Sequence, residues 1–88
     1  MSQNYPNTFN PLTKIDFALP KTGRVVVTIY NILGQEVTIL INQRLEYGYH
    51  TVTWQGTDRM GRPVGSGVYF SELKAAGFRK TRKMLLMK

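Results

Sequence analysis

Eighty-eight residues make one small domain, and at that size only ~60–65% of the unfolded surface can be buried, which leaves little stability for an elaborate active-site cleft. Apolar residues make up 42% of the chain, with no cysteine and a single histidine, His50; this excludes disulfides, thiolate zinc, a cysteine nucleophile and multi-histidine metal sites. The net charge is +7 and no apolar run nears the ~18 residues of a membrane span, so the chain reads as a soluble basic module and not as an enzyme.

The first dozen residues, Ser2-Gln-Asn-Tyr-Pro-Asn-Thr-Phe-Asn-Pro-Leu12, are rich in Asn and Pro. Proline fixes φ and removes backbone donors, so residues 1–12 read as a semi-rigid lead-in from an upstream domain. From residue 13 the period becomes two. Ile15, Phe17 and Leu19 share one face, with Lys14, Asp16 and Ala18 opposite. Pro20 to Gly23 is a turn. In Arg24-Val-Val-Val-Thr-Ile-Tyr30 the residues Val25, Val27 and Ile29 are expected to face inward, and Val26, Thr28 and Tyr30 outward.

Gly34-Gln35 breaks that run, and Glu36 to Ile41 forms the next strand, followed by a polar connection over residues 42–47. From Tyr49 to Trp54 the alternation places His50, Val52 and Trp54 on one face. Residues 55–63 form a Gly- and Asp-bearing loop. Gly65-Ser-Gly67 leads into a strand from Val68 to Ala75, Gly77 turns the chain, and Phe78 to Met87 is the last strand. No segment has a helical period. About seven strands spaced by turn signals predict an all-β domain, an antiparallel β-sandwich of immunoglobulin type without a disulfide, with Trp54 as its core anchor.

The charge is unevenly placed. Residues 1–58 carry Lys14, Lys21, Arg24 and Arg44 against Asp16, Glu36, Glu46 and Asp58, a net of zero. Residues 59–88 carry eight bases against Glu72 alone, densest at Arg79-Lys80-Thr81-Arg82-Lys83. Such a stretch suits an anionic partner; on an edge strand it also deters edge-to-edge aggregation.

Catalytic constellations are missing from this sequence. His50 stands alone on a strand, and no glycine-framed serine offers a nucleophile beside it. The five acids fall singly on different elements, which speaks against a glycosidase pair. The loop around Asp58 holds one acid and two arginines, a poor calcium loop. Gly65 and Gly67 precede a strand, whereas phosphate cradles open a helix. The aromatics Tyr30, Tyr47, Tyr49, Trp54, Tyr69 and Phe70 would make a sugar-stacking platform only if several were exposed together. Arg79 to Lys83 contains no aromatic residue, which argues against single-stranded nucleic acid as a partner. No cofactor or metal is expected.

Asn4-Tyr-Pro-Asn-Thr-Phe-Asn-Pro11, Ile15-Asp-Phe-Ala-Leu-Pro20 and Val27-Thr-Ile-Tyr-Asn-Ile-Leu-Gly-Gln-Glu-Val37 resemble the opening of the C-terminal sorting domains of the type IX (Por) secretion system. Gly48 to Trp54, Gly56, Asp58, Gly61, Val64-Gly-Ser-Gly-Val-Tyr69 and Lys83-Met-Leu-Leu-Met-Lys88 continue the likeness over nearly the whole chain. Thr8 departs from it, standing where the opening motif usually carries proline. The resemblance implies a non-catalytic signal that directs an exported cargo, fused upstream, through an outer-membrane translocon from the periplasm to the cell surface or medium. A sortase and anionic lipopolysaccharide are the further partners it implies. The sorting elements map onto Gly65, Gly67, Val68 and Tyr69, and onto Lys83, Met84, Leu85, Leu86, Met87 and Lys88. Arg79, Lys80, Arg82 and Lys83 form the basic patch beside them. A last strand with an unpaired edge and bases on both faces suits such a receptor.

The opening and the Trp–Gly–Asp–Gly pattern also resemble the immunoglobulin-like domain of the flagellar hook-capping protein, which implies a structural assembly role. A third reading, an accessory carbohydrate-binding module, requires two or three coplanar exposed aromatics, and burial of Trp54, Tyr49 and Tyr69 together would remove it.

Overall fold

The computed structural model describes residues 13–87; the lead-in assigned to residues 1–12, and Lys88, lie outside the described residues. Six strands occur among them: β1 (Thr13–Leu19), β2 (Gly23–Asn31), β3 (Glu36–Leu45), β4 (Gly48–Trp54), β5 (Gly67–Ala75) and β6 (Phe78–Leu86). They form two antiparallel sheets. One holds β1 and β4 only, and the other runs β3-β2-β5-β6. The expected immunoglobulin-like all-β architecture is thus present, with six strands where about seven were anticipated.

The period-two pattern is what packs the sheets together. Ile15, Phe17 and Leu19 of β1, and Val25, Val27 and Ile29 of β2, are all buried as their alternation requires. Two clusters share the interior. Ile15, Ile29, Trp54, Tyr69 and Leu86 fill one end, and Phe17, Leu19, Val25, Val27 and Leu73 the other. Trp54 is 1% exposed, and burying one large side chain of this kind contributes roughly 1.5–3 kcal/mol.

Two local expectations need correction. Residues 42–45 are not a connection but the end of β3, pairing with residues 23–26 of β2; the connection shrinks to Glu46 and Tyr47. This stretch of β3 lies on the outer edge of its sheet, where polar side chains face water, so it lacks the apolar alternation that marks a strand. Thr28 was expected outward and is 5% exposed. It sits on a central strand between Ile39 and Glu72, and register shifts flank it on the β3 side. Larger neighbours on both strands cover a small side chain there even on the outer face.

Two tight turns set the register. At the β2–β3 turn the Asn31 carboxamide oxygen accepts from the Leu33 and Gln35 amides at 2.9 and 3.0 Å. At the β5–β6 turn Ala75 pairs with Phe78 across two residues. Gly77 takes φ 85° there, a left-handed conformation that costs residues with a Cβ roughly 1–2 kcal/mol.

Candidate functional site

The two segments singled out as signal elements are far apart in sequence and adjacent in space. Gly67 pairs with Leu86, Val68 with Leu85 and Tyr69 with Met84. Two members of this group are core: Tyr69 is 8% exposed and Leu86 2%. Leu85 and Met87 are exposed, and Gly65 lies on the loop before β5, also exposed.

The basic patch divides by strand alternation. Lys80 and Arg82 stand opposite Leu73 and Ser71, both buried, so they share the inward face of β6. Arg79 and Lys83 take the outward face. There the Arg79 guanidinium donates to Glu72 Oε2 at 3.4 Å, and the Tyr30 hydroxyl donates to Glu72 Oε1 at 3.2 Å. This chain of contacts crosses β2, β5 and β6. Burial, and then the Glu72 carboxylate, raise the Tyr30 hydroxyl above its ordinary value of 10.0.

Among the described residues β6 is bonded on one side only, to β5, and β1 on one side only, to β4. These two free edges line one groove of about 310 Å³. Ile15, Phe17, Leu73 and Phe78 give it apolar walls, Lys80 and Arg82 stand over it from β6, and Asp16 lines it from β1, its Oδ1 accepting from the Thr51 hydroxyl at 2.6 Å. The groove exists because two strands cannot cover the inner face of four. Sequence reading found the unpaired last strand with bases on both faces, but not the second free edge that turns it into a groove.

The loop after β4 is an organised structure. Asp58 Oδ1 accepts from the Met60 and Arg62 amides, both at 2.9 Å, and the Arg62 Nε donates to Oδ2 at 3.2 Å. The Arg62 amide holds the carboxyl below its ordinary value of 3.8. Desolvation opposes that shift, and the Met60 amide and the Arg62 guanidinium reinforce it. Arg59 reaches back to β3, where its guanidinium pairs with Glu36 and its amide donates to the Val37 carbonyl at 3.1 Å. The carboxylate is spent on turn amides, and no three His, Asp or Glu side chains converge among the described residues.

His50 is accounted for by packing. Its ring stacks on Phe17 with centroids 5.5 Å apart, and Nε2 lies 2.7 Å from the Glu46 carbonyl, to which only a protonated Nε2 can donate. Of the three aromatics weighed for a sugar platform, Trp54 and Tyr69 are buried while Tyr49 is 92% exposed, so these three form no common surface.

Residues 8–77 match the FlgD Ig-like domain family. Among solved structures, FlgD from P. aeruginosa is 26% identical with a TM-score of 0.67, and the match covers 85% of this chain and 59% of that one. The chain therefore spans less than two thirds of that protein. No curated protein matches the chain. These matches overturn the expectation of a type IX sorting signal and fall on the hook-capping resemblance instead. Within the segments that suggested sorting, Trp54, Tyr69 and Leu86 are core and Gly67 opens β5.

Proposed function

The chain belongs to the FlgD Ig-like domain family, and on that footing we propose that it is a non-catalytic structural module of a larger protein of the flagellar hook-capping type. The match over residues 8–77 is the observation that carries this reading. The chemistry agrees with it. Asp58 is committed to turn amides and His50 to a ring stack and a carbonyl, which leaves neither poised for catalysis. Such a module contributes a rigid body and surfaces for assembly.

A domain exchange tests the proposal. The Ig-like domain of a hook-capping protein is replaced by residues 1–88 in a flagellated bacterium, beside a strain with that domain deleted. Hook assembly restored above the deletion strain is the expected result. A chimera that is folded and exported yet behaves like the deletion would contradict the reading.

A further inference from the structure

We propose that the groove between β1 and β6 is a docking site for an extended partner segment carrying acidic side chains at alternate positions, added as a strand along β6. The inference rests on the geometry of the groove and stands apart from the hook-cap reading.

Two strand edges that are free among the described residues border one apolar groove. Each edge presents unpaired backbone donors and acceptors, the template that strand addition uses. The strand that enters is selected by the inward face of β6. Lys80 and Arg82 lie two residues apart on that face, and neither has an ion-pair partner among the described residues. An apolar strand laid along β6 would bury these charges without compensation, which is costly. That is how inward-facing charges protect an edge. An acidic strand converts the same cost into attraction, because carboxylates two residues apart meet Lys80 and Arg82 as charge-assisted cross-strand pairs.

Phe17, Leu73 and Phe78 then receive apolar residues of the entering segment two positions beyond its acids, on the same strand face. A second copy of this chain is a poor occupant. The chain carries +7 overall, and a two-fold pairing along this edge would set basic β6 against basic β6.

The test is a titration of the isotope-labelled 88-residue chain, followed by NMR. The probe is the short peptide Val-Thr-Glu-Thr-Glu-Thr-Val, whose Glu and Val side chains share one strand face, compared with the same peptide carrying Lys in place of Glu. The acidic peptide is expected to shift the amides of Ile15 to Ala18 and Phe78 to Arg82, and to lose affinity with added salt. Lys80→Glu combined with Arg82→Glu should weaken it by about tenfold or more. Lys83→Glu, on the opposite face of the same strand, should change it by less than about twofold. If the double glutamate variant fails to fold by circular dichroism, Lys80→Gln with Arg82→Gln takes its place with the same expected direction. The proposal is overturned if the acidic peptide produces no shifts in these segments or the lysine peptide binds equally well. It is also overturned if Lys83→Glu matches the double variant, if a single-stranded oligonucleotide competes at the same amides, or if the chain closes the groove by dimerising.

Discussion

Trp54 and Tyr69 meet edge-on across the two sheets, with ring centroids 5.1 Å apart and planes at 66°. Each ring directs its polar atom into the segment that joins them. Trp54 Nε1 donates to the Thr57 carbonyl at 2.9 Å, and the Tyr69 hydroxyl donates to the Gly65 carbonyl at 2.7 Å. One aromatic pair therefore binds sheet to sheet and fastens both ends of the intervening loop. Between those ends the Val64 amide donates to the Gly56 carbonyl at 3.0 Å. The arrangement suits edge-to-face packing, in which the apolar bodies are buried and the polar handles find partners.

Truncating Trp54 should therefore be among the most damaging single changes. Trp54→Ala removes a side chain that is 1% exposed, at a cost of ~3–5 kcal/mol. That is a large part of the ~5–15 kcal/mol that holds a typical domain folded. Trp54→Phe keeps a ring but orphans the Thr57 carbonyl, for ~1–3 kcal/mol. Urea denaturation should rank wild type, Phe and Ala in that order. Equal midpoints for wild type and Trp54→Ala would remove Trp54 from its place as anchor.

The loop around Asp58 should respond to acid. Its carboxyl titrates below the ordinary 3.8, chiefly because the Arg62 amide bonds to the ionised form. A lowered folded-state pKa stabilises the folded loop above the unfolded value, and that stabilisation is lost as pH falls through the folded one. Amide exchange at Met60 and Arg62 should accelerate relative to the core as pH drops below 3.8. Asp58→Asn keeps an acceptor oxygen but removes the titration, so its relative protection should stay flat. Acid-dependent opening that persists in Asp58→Asn would assign the effect to another group.

Tyr30 gives the opposite limb. Its hydroxyl is raised above 10.0 by burial and by Glu72, so the folded state holds the proton longer than the unfolded chain does. The stabilisation is complete below the unfolded value and is lost as pH rises through the folded one. Thermal melts of wild type should fall more steeply above pH 10 than those of Tyr30→Phe. Parallel curves would show that Tyr30 does not contribute to the alkaline loss.

The β5–β6 turn should tolerate little at Gly77. A Cβ built there meets no atom within 4 Å, so space is not the constraint. The constraint is the φ of 85°, and Gly77→Ala should cost roughly 1–2 kcal/mol, with Gly77→Val costing more. Because Phe78, Lys80 and Arg82 follow directly, the same substitutions should disturb the groove face of β6. An unchanged melting temperature for Gly77→Val would show that the turn relaxes without strain.

Much of this fold was legible because burial imposes a period of two. Ile15, Phe17 and Leu19, then Val25, Val27 and Ile29, read directly as inward faces, and Trp54 as an anchor. The pattern fails where burial does not impose it. The end of β3 is an exposed edge, where the Arg24 guanidinium bonds to Asn42 at 2.9 Å, and polar strand residues there look like loop. Thr28 is covered by neighbours on adjacent strands, which one strand's sequence does not contain. The groove depends on which strands remain uncovered when two sheets of unequal size stack, a tertiary property. Function was misread for a related reason. Lys83-Met-Leu-Leu-Met-Lys88 looks like an address, whereas Leu86 faces the core and Leu85 is exposed, as strand alternation demands of any last strand in such a sandwich.

Among the described residues no strand bridges β1 and β6, so the sandwich is open between them. Hydrogen exchange resolved by residue tests it most directly. Every second amide of β1 and of β6 should exchange fast, because those groups point into the groove and have no strand to bond to. The amides of β2 and β5, which have neighbours on both sides, should be protected throughout. Uniform protection along β1 and β6 in the isolated monomeric chain would mean that a further segment closes that side, and would contradict the account.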